Sequence, residues 1–132
     1  MLDAGARRVL LVEDTKEVRE IFSDFLDVLG YAFDVAGNGA QGIEMLEHCR
    51  YDLVITDLKM PGVSGLDVAS AARRTRPEIE VIVVSGSSMP MEDEQIERLG
   101  LRFLRKPVLL QNFMAAIEAT GVSASADHAA TR

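Results

Sequence analysis

Five side chains of this 132-residue chain could share one piece of chemistry: Glu13, Asp14, Asp57, Ser85 and Lys106. Three carboxylates gathered in one cleft repel one another. Two unit charges ~4 Å apart cost about 4 kcal/mol at an effective dielectric of 20. A proton or a cation must relieve that cost. Carboxylate oxygens suit a hard cation that keeps part of its water shell, which points to Mg2+, with Mn2+ as a substitute. No thiolate or imidazole stands at these positions, so Zn2+ is disfavoured. Lys106 offers a compact positive charge to a phosphoryl oxygen, and Ser85 a hydroxyl donor. Such a set fits phosphoryl transfer, where the protein mainly positions groups and neutralises charge. A carboxylate such as Asp57 can itself be the nucleophile and carry an aspartyl phosphate.

Taken singly, each residue has a plainer reading. An acid or serine just past a strand is ordinarily a solvated loop residue or a helix cap. The case rests on where the residues fall relative to the elements that must hold them. β-rich apolar runs occupy residues 9–12, 53–56 and 81–84, with weaker ones around Phe33 and Val35 and at 101–104. Glu13 and Asp14 follow the first run, Asp57 the third, Ser85 the fourth and Lys106 the fifth. Between the runs lie helical periods. From Glu17 to Leu29, the residues Val18, Ile21, Phe22, Phe25, Leu26 and Leu29 form one apolar face, and Gly30 is placed to end the helix. Residues 40–49, 65–74, 91–99 and 109–120 read as four more helices, and Pro90 with Glu92, Asp93 and Glu94 suits a first turn. Asn38-Gly39 is a hairpin dipeptide, but no strand alternation follows it, so Asn38 reads as a turn or helix cap. Alternating strands and helices predict an α/β fold, a doubly wound parallel sheet with helices on both faces. In such sheets ligands bind outside the carboxyl ends of the strands, which is where the five side chains converge.

The length is that of one domain, long enough to bury a core without staples. Hydrophobic residues make up 48% and charged residues 27%, the balance of a globular chain. The 21 acids against 14 bases, a formal charge of −7, argue against a nucleic-acid footprint or docking on an anionic membrane. One cysteine, Cys49, makes no internal disulfide. No apolar run approaches a membrane span or a signal peptide, so an intracellular, cytoplasmic protein is expected. Cys49 is expected to be partly buried and inert, His48 a surface residue, and the methionines and the apolar helix stripe core.

From about Arg8 to Thr120 the sequence resembles the receiver domain of two-component response regulators. The matching stretches are VLLVEDTKEVRE from Val9, DLVITDLKMPGVSGLDV from Asp52, VIVVSGSS from Val81 and FLRKPV from Phe103. The spacing is similar too, with 43 residues from Asp14 to Asp57, 28 on to Ser85 and 21 on to Lys106. The resemblance implies a flavodoxin-like, CheY-like (βα)5 sheet in the order 2-1-3-4-5. It implies residues 1–7 as an extension, 8–120 as the receiver and 121–132 as a tail or linker start. It implies Asp57 as phosphoacceptor and Mg2+ held by Asp14, Asp57 and the backbone carbonyl of Lys59, with Glu13 acting through water. Lys106 would pair with the phosphoryl group, Ser85 would be the switch hydroxyl, and the Lys106–Pro107 bond would be cis. Phe103 stands where the family often has a switch aromatic, commonly tyrosine, and lacks that hydroxyl. Lys59 and Ser87 occupy the variable positions beside the site.

The resemblance implies a switch rather than a turnover enzyme. On that resemblance, a sensor histidine kinase or a histidine phosphotransfer protein would donate a phosphoryl group to Asp57, and the new charge would select one of two conformations. The output would be a downstream protein, a further effector domain or a phosphorylation-dependent dimer. Three other functions compete. An aspartate-nucleophile phosphatase usually carries a second acid where this chain has Lys59. An unphosphorylated receiver-like interaction module would not need the five residues. A nucleotide-binding fold would need a glycine-rich turn where this chain has EDTKE.

Overall fold

The computed structural model describes residues 8–86 and 94–124. Along them run β1 (Arg8–Val12), α1 (Lys16–Leu29), β2 (Ala32–Ala36), α2 (Gly39–His48), β3 (Leu53–Asp57), α3 (Gly65–Thr75), β4 (Glu80–Ser85), α4 (Glu94–Leu99), β5 (Arg102–Arg105) and α5 (Leu110–Thr120). The sheet is parallel throughout, in the order β2-β1-β3-β4-β5. This is the doubly wound α/β architecture expected from the alternating pattern. The reading of 91–93 as the start of a helix, the position of Ser87, residues 1–7 and the tail from residue 125 lie outside the described residues.

The strand alternation sorts the core into two layers. Val9, Leu11, Leu53, Ile55, Ile82 and Val84 point to one face and pack with Phe22 and Leu26 of α1 and Phe113 and Ile117 of α5. Leu10, Val12, Val54, Val81 and Val83 point to the other and pack with Leu46 of α2 and with Val68, Ala69 and Ala72 of α3. The three central strands are buried on both sides, which is why they read as continuous apolar runs. The phenyl rings of Phe22, Phe25 and Phe113 join α1 to α5, with Phe25 and Phe113 edge-on at 5.1 Å.

Local chemistry sets the element ends. Gly30 takes the left-handed conformation (φ 88°), and its N–H bonds back to Asp27 and Leu26, closing α1. The Asn38 side chain accepts the Gln41 N–H, so this residue is a helix cap and not a hairpin turn. Ser64 and Asp67 form a reciprocal capping box that starts α3 where the β3–α3 loop ends.

Three expectations about burial are corrected. Ile21, placed on the apolar stripe of α1, is 49% exposed. It lies at the stripe's edge, and the sheet covers only the line through Phe22 and Leu26. Met114 is exposed because α5 packs through Phe113 and Ile117; Met60 is buried and Met45 half-buried. Cys49 is exposed, since α2 ends at His48 and the cysteine stands where the chain leaves the helix. His48 is exposed as expected. Beyond α5 the chain does not turn straight into solvent. The Tyr31 hydroxyl donates to the Val122 carbonyl (3.0 Å), and Val122 and Ala124 pack on the core beside α1.

Candidate functional site

Parallel pairing brings the carboxyl ends of β1, β3, β4 and β5 to one edge. Glu13 continues the pairing of β1, its N–H donating to the Ala36 carbonyl (3.1 Å). Its side chain turns inward and is 1% exposed. Asp57 is the last residue of β3 and is 7% exposed; Asp14 is half-buried. Carboxylate oxygens of Glu13, Asp14 and Asp57 all lie within 4.8 Å of one another. Lys106, just past β5, reaches in among them. Its Nζ is 3.3 Å from Glu13 Oε1 and 3.4 Å from Asp57 Oδ1. The lysine backbone is fixed as well: its N–H donates to the Ser85 carbonyl (2.9 Å), and the Lys106–Pro107 bond is cis.

Ser85 ends β4 and is 1% exposed. Lys59 lies in the β3–α3 loop with its side chain exposed. Phe103, on β5 opposite Val83, is half-buried and belongs to neither core layer. The structure therefore brings Glu13, Asp14, Asp57 and Lys106 together, sets Ser85 at the end of the adjacent strand, and leaves Phe103 within β5.

The electrostatics are those of an acidic cluster short of positive charge. Burial, above all, pushes the Glu13 carboxyl above its usual range; Asp57 adds to the push, while the Thr15 N–H and Lys106 work against it. Burial likewise raises Asp57, with Lys106 pulling down and Asp14 pushing up. Glu13 Oε2 accepts the Thr15 N–H (3.2 Å), whereas Oε1, buried, has no hydrogen-bond partner among the described residues. Lys106 attracts Oε1 as a charge without being aligned for a hydrogen bond. An orphaned buried oxygen beside two more carboxylates is a donor set that a hard divalent cation fits.

Two supporting residues were not singled out from the sequence. Gly65, the first residue of α3, packs directly on β3: a Cβ there would lie 2.2 Å from the Asp57 carbonyl oxygen and 2.8 Å from Leu58 Cα. Its N–H donates to the Leu58 carbonyl (2.9 Å), while the Leu58 N–H donates to Val84 (2.8 Å). These contacts close the β3–α3 loop over the end of β3. The signal was present as the second glycine of MPGVSGLDV. The other is Arg19, whose Nη1 donates to the Glu13 carbonyl (2.9 Å). No local pattern announces a contact six residues back from a helix.

Comparison with known proteins agrees with this geometry. The Luminescence regulatory protein LuxO of Vibrio campbellii is 32% identical over 98 residues, covering 74% of this chain, which spans 22% of that protein's length. A response regulator receiver protein from Pseudomonas putida is 31% identical and superposes with a TM-score of 0.78, covering 88% of this chain and 98% of its own. The response regulator TrrA of Thermotoga maritima, solved in complex with Mg(2+)-BeF, is 28% identical with a TM-score of 0.79, covering 86% and 98%. The family described as the response regulator receiver domain matches residues 9–118, and the chain belongs to that family.

Proposed function

We propose that this domain is a phosphorylation-activated switch in which Asp57 accepts a phosphoryl group from a phosphohistidine. The single observation behind this is the Asp57 carboxylate, 7% exposed, with Lys106 Nζ at 3.4 Å and the Glu13 and Asp14 carboxylates within 4.8 Å. An Asp57 oxygen attacks the phosphorus, the P–N bond of the donor breaks, and the imidazole leaves with the bonding electron pair. Lys106 exchanges a carboxylate oxygen for a phosphoryl oxygen, and the Ser85 hydroxyl donates to another. Asp14, Asp57 and the Lys59 carbonyl would hold Mg2+, with Glu13 acting through water, and the ion when bound neutralises the charge of the incoming phosphoryl group. The complex of TrrA with Mg(2+)-BeF supports that assignment by likeness.

The donor is a sensor histidine kinase or a histidine phosphotransfer protein, which puts the reaction on the cytoplasmic side. The output is a change in partner binding, with Phe103 taking part in the rearrangement. Moving a population from 1:99 to 99:1 needs about 5.5 kcal/mol of differential stabilisation, which a few charge-assisted hydrogen bonds and a metal can supply. The receiver unit runs from about residue 8 to 120, with Val122 and Ala124 packed on its core.

The test is Mg2+-dependent labelling from a phospho-donor. Wild type is expected to take up acid-stable, base-labile phosphate. Wild-type levels of that label on Asp57→Asn would sink the assignment.

A further inference from the structure

The peptide group between Glu13 and Asp14 carries both acids at the end of β1, so its orientation decides where their carboxylates stand. The peptide group before it, Val12–Glu13, is held by the sheet through the Glu13 N–H on Ala36 (3.1 Å). The Glu13–Asp14 peptide itself is held through its carbonyl oxygen, which accepts from Arg19 Nη1 at 2.9 Å. Arg19 is the fourth residue of α1, and its own N–H is already used by the Thr15 carbonyl (2.9 Å). Only its side chain reaches back. The guanidinium is half-buried and lies against the β2–α2 turn, where a Cβ on Gly37 would be 3.6 Å from Nη1. It thus sits where the end of β1, the start of α1 and the turn before α2 meet.

Lys106 cannot do this work. It contacts the carboxylates themselves and must be free to trade them for a new anion. Among the described residues, the hydrogen bond of the Arg19 side chain goes to the backbone behind them and not to a carboxylate. Without such a hold, three mutually repelling carboxylates would spread when empty, and a cation would have to draw them together at a cost in affinity.

We propose that Arg19 is a positioning residue for the acidic pair, its guanidinium fixing the Glu13–Asp14 peptide so that the carboxylates stand ready for a divalent cation. This rests on reading Glu13, Asp14 and Asp57 as the Mg2+ site. A charged donor on a carbonyl makes a strong hydrogen bond, and partners that orient metal ligands from behind typically contribute 10–100-fold to affinity.

The experiment is calorimetric titration of the unphosphorylated chain with Mg2+, alongside thermal unfolding in EDTA. Arg19→Met keeps the aliphatic length and loses the donor; its Mg2+ Kd is expected to rise about 10-fold. Arg19→Lys keeps a cationic donor without the fork and is expected to fall between the two. A purely structural role would lower the melting temperature and leave the Kd alone. A Kd for Arg19→Met within about twofold of wild type overturns the proposal. If Arg19→Met does not fold, Arg19→Gln takes its place and is read the same way. A wild type that binds no Mg2+ overturns the reading of the acidic site together with this proposal; equal binding by wild type and variant overturns this proposal alone.

Discussion

Replacing Asp57 by asparagine is expected to make the metal-free protein more stable. The substitution keeps the shape and removes one charge from a cleft where the side chain is 8% exposed. Glu13 and Asp14, within 4.8 Å, each repel an ionised Asp57 by at least about 3.5 kcal/mol at an effective dielectric of 20. Lys106, at 3.4 Å, returns about 5 kcal/mol on the same scale. The balance is about 2 kcal/mol in favour of the asparagine, and relief from burying a carboxylate acts in the same direction. For a domain of this size that is about 6 °C in melting temperature. The assay is thermal unfolding followed by circular dichroism, in EDTA and in saturating Mg2+. In Mg2+ the wild type gains about 2.7 kcal/mol at 100 times the Kd, while the variant lacks one ligand, so its advantage shrinks or reverses. The pH dependence has a definite sign. Asp57 is raised in the fold above its ordinary 3.8. A protonated Asp57 is thus favoured by folding below that value, and this contribution is lost as pH rises through the raised one. The asparagine's advantage is therefore absent at the acid end and develops as pH climbs through that window. An asparagine variant less stable than wild type in EDTA at neutral pH, or an identical gain with and without Mg2+, would refute the electrostatic reasoning.

Lys106→Met leaves three carboxylates without the ammonium that lies among them, and breaking a largely buried charge pair costs about 3 kcal/mol or more; denaturant unfolding in EDTA is expected to show that loss, and added Mg2+ to recover much of it. Gly65→Ala drives a methyl to 2.2 Å from the Asp57 carbonyl, so α3 must shift from β3 at a cost of about 1–3 kcal/mol, read in the denaturation midpoint together with lower phosphate uptake. Tyr31→Phe removes the 3.0 Å bond to Val122 and is expected to cost about 1 kcal/mol, with faster amide exchange at Val122–Ala124 and unchanged Mg2+ binding.

Much of this protein could be read from local pattern. A run such as 81–84 is apolar at every position because β4 is covered on both faces, so burial and strand type are written together. Once strands alternate with helices, a parallel sheet places every residue just past a strand at the same edge. Asp14, Asp57, Ser85 and Lys106 could therefore be gathered without knowing a single distance. Asn38 was legible as a cap because capping is decided within three residues.

The rest depended on how elements far apart in the chain meet. Helical period alone could not say that Ile21 lies outside the strip of α1 the sheet covers, nor that Cys49 faces solvent. No periodicity connects Tyr31 to Val122 across 91 residues. Arg19 and Gly65 act on backbone carbonyls, which every residue carries, so their partners leave no mark in the sequence. Residue type and spacing determined which charges gather at the sheet edge. Only the packing of α1 and α3 against the ends of β1 and β3 decided what holds those charges in place, because a contact to backbone is fixed by the approach of two elements and not by the identity of the residue approached.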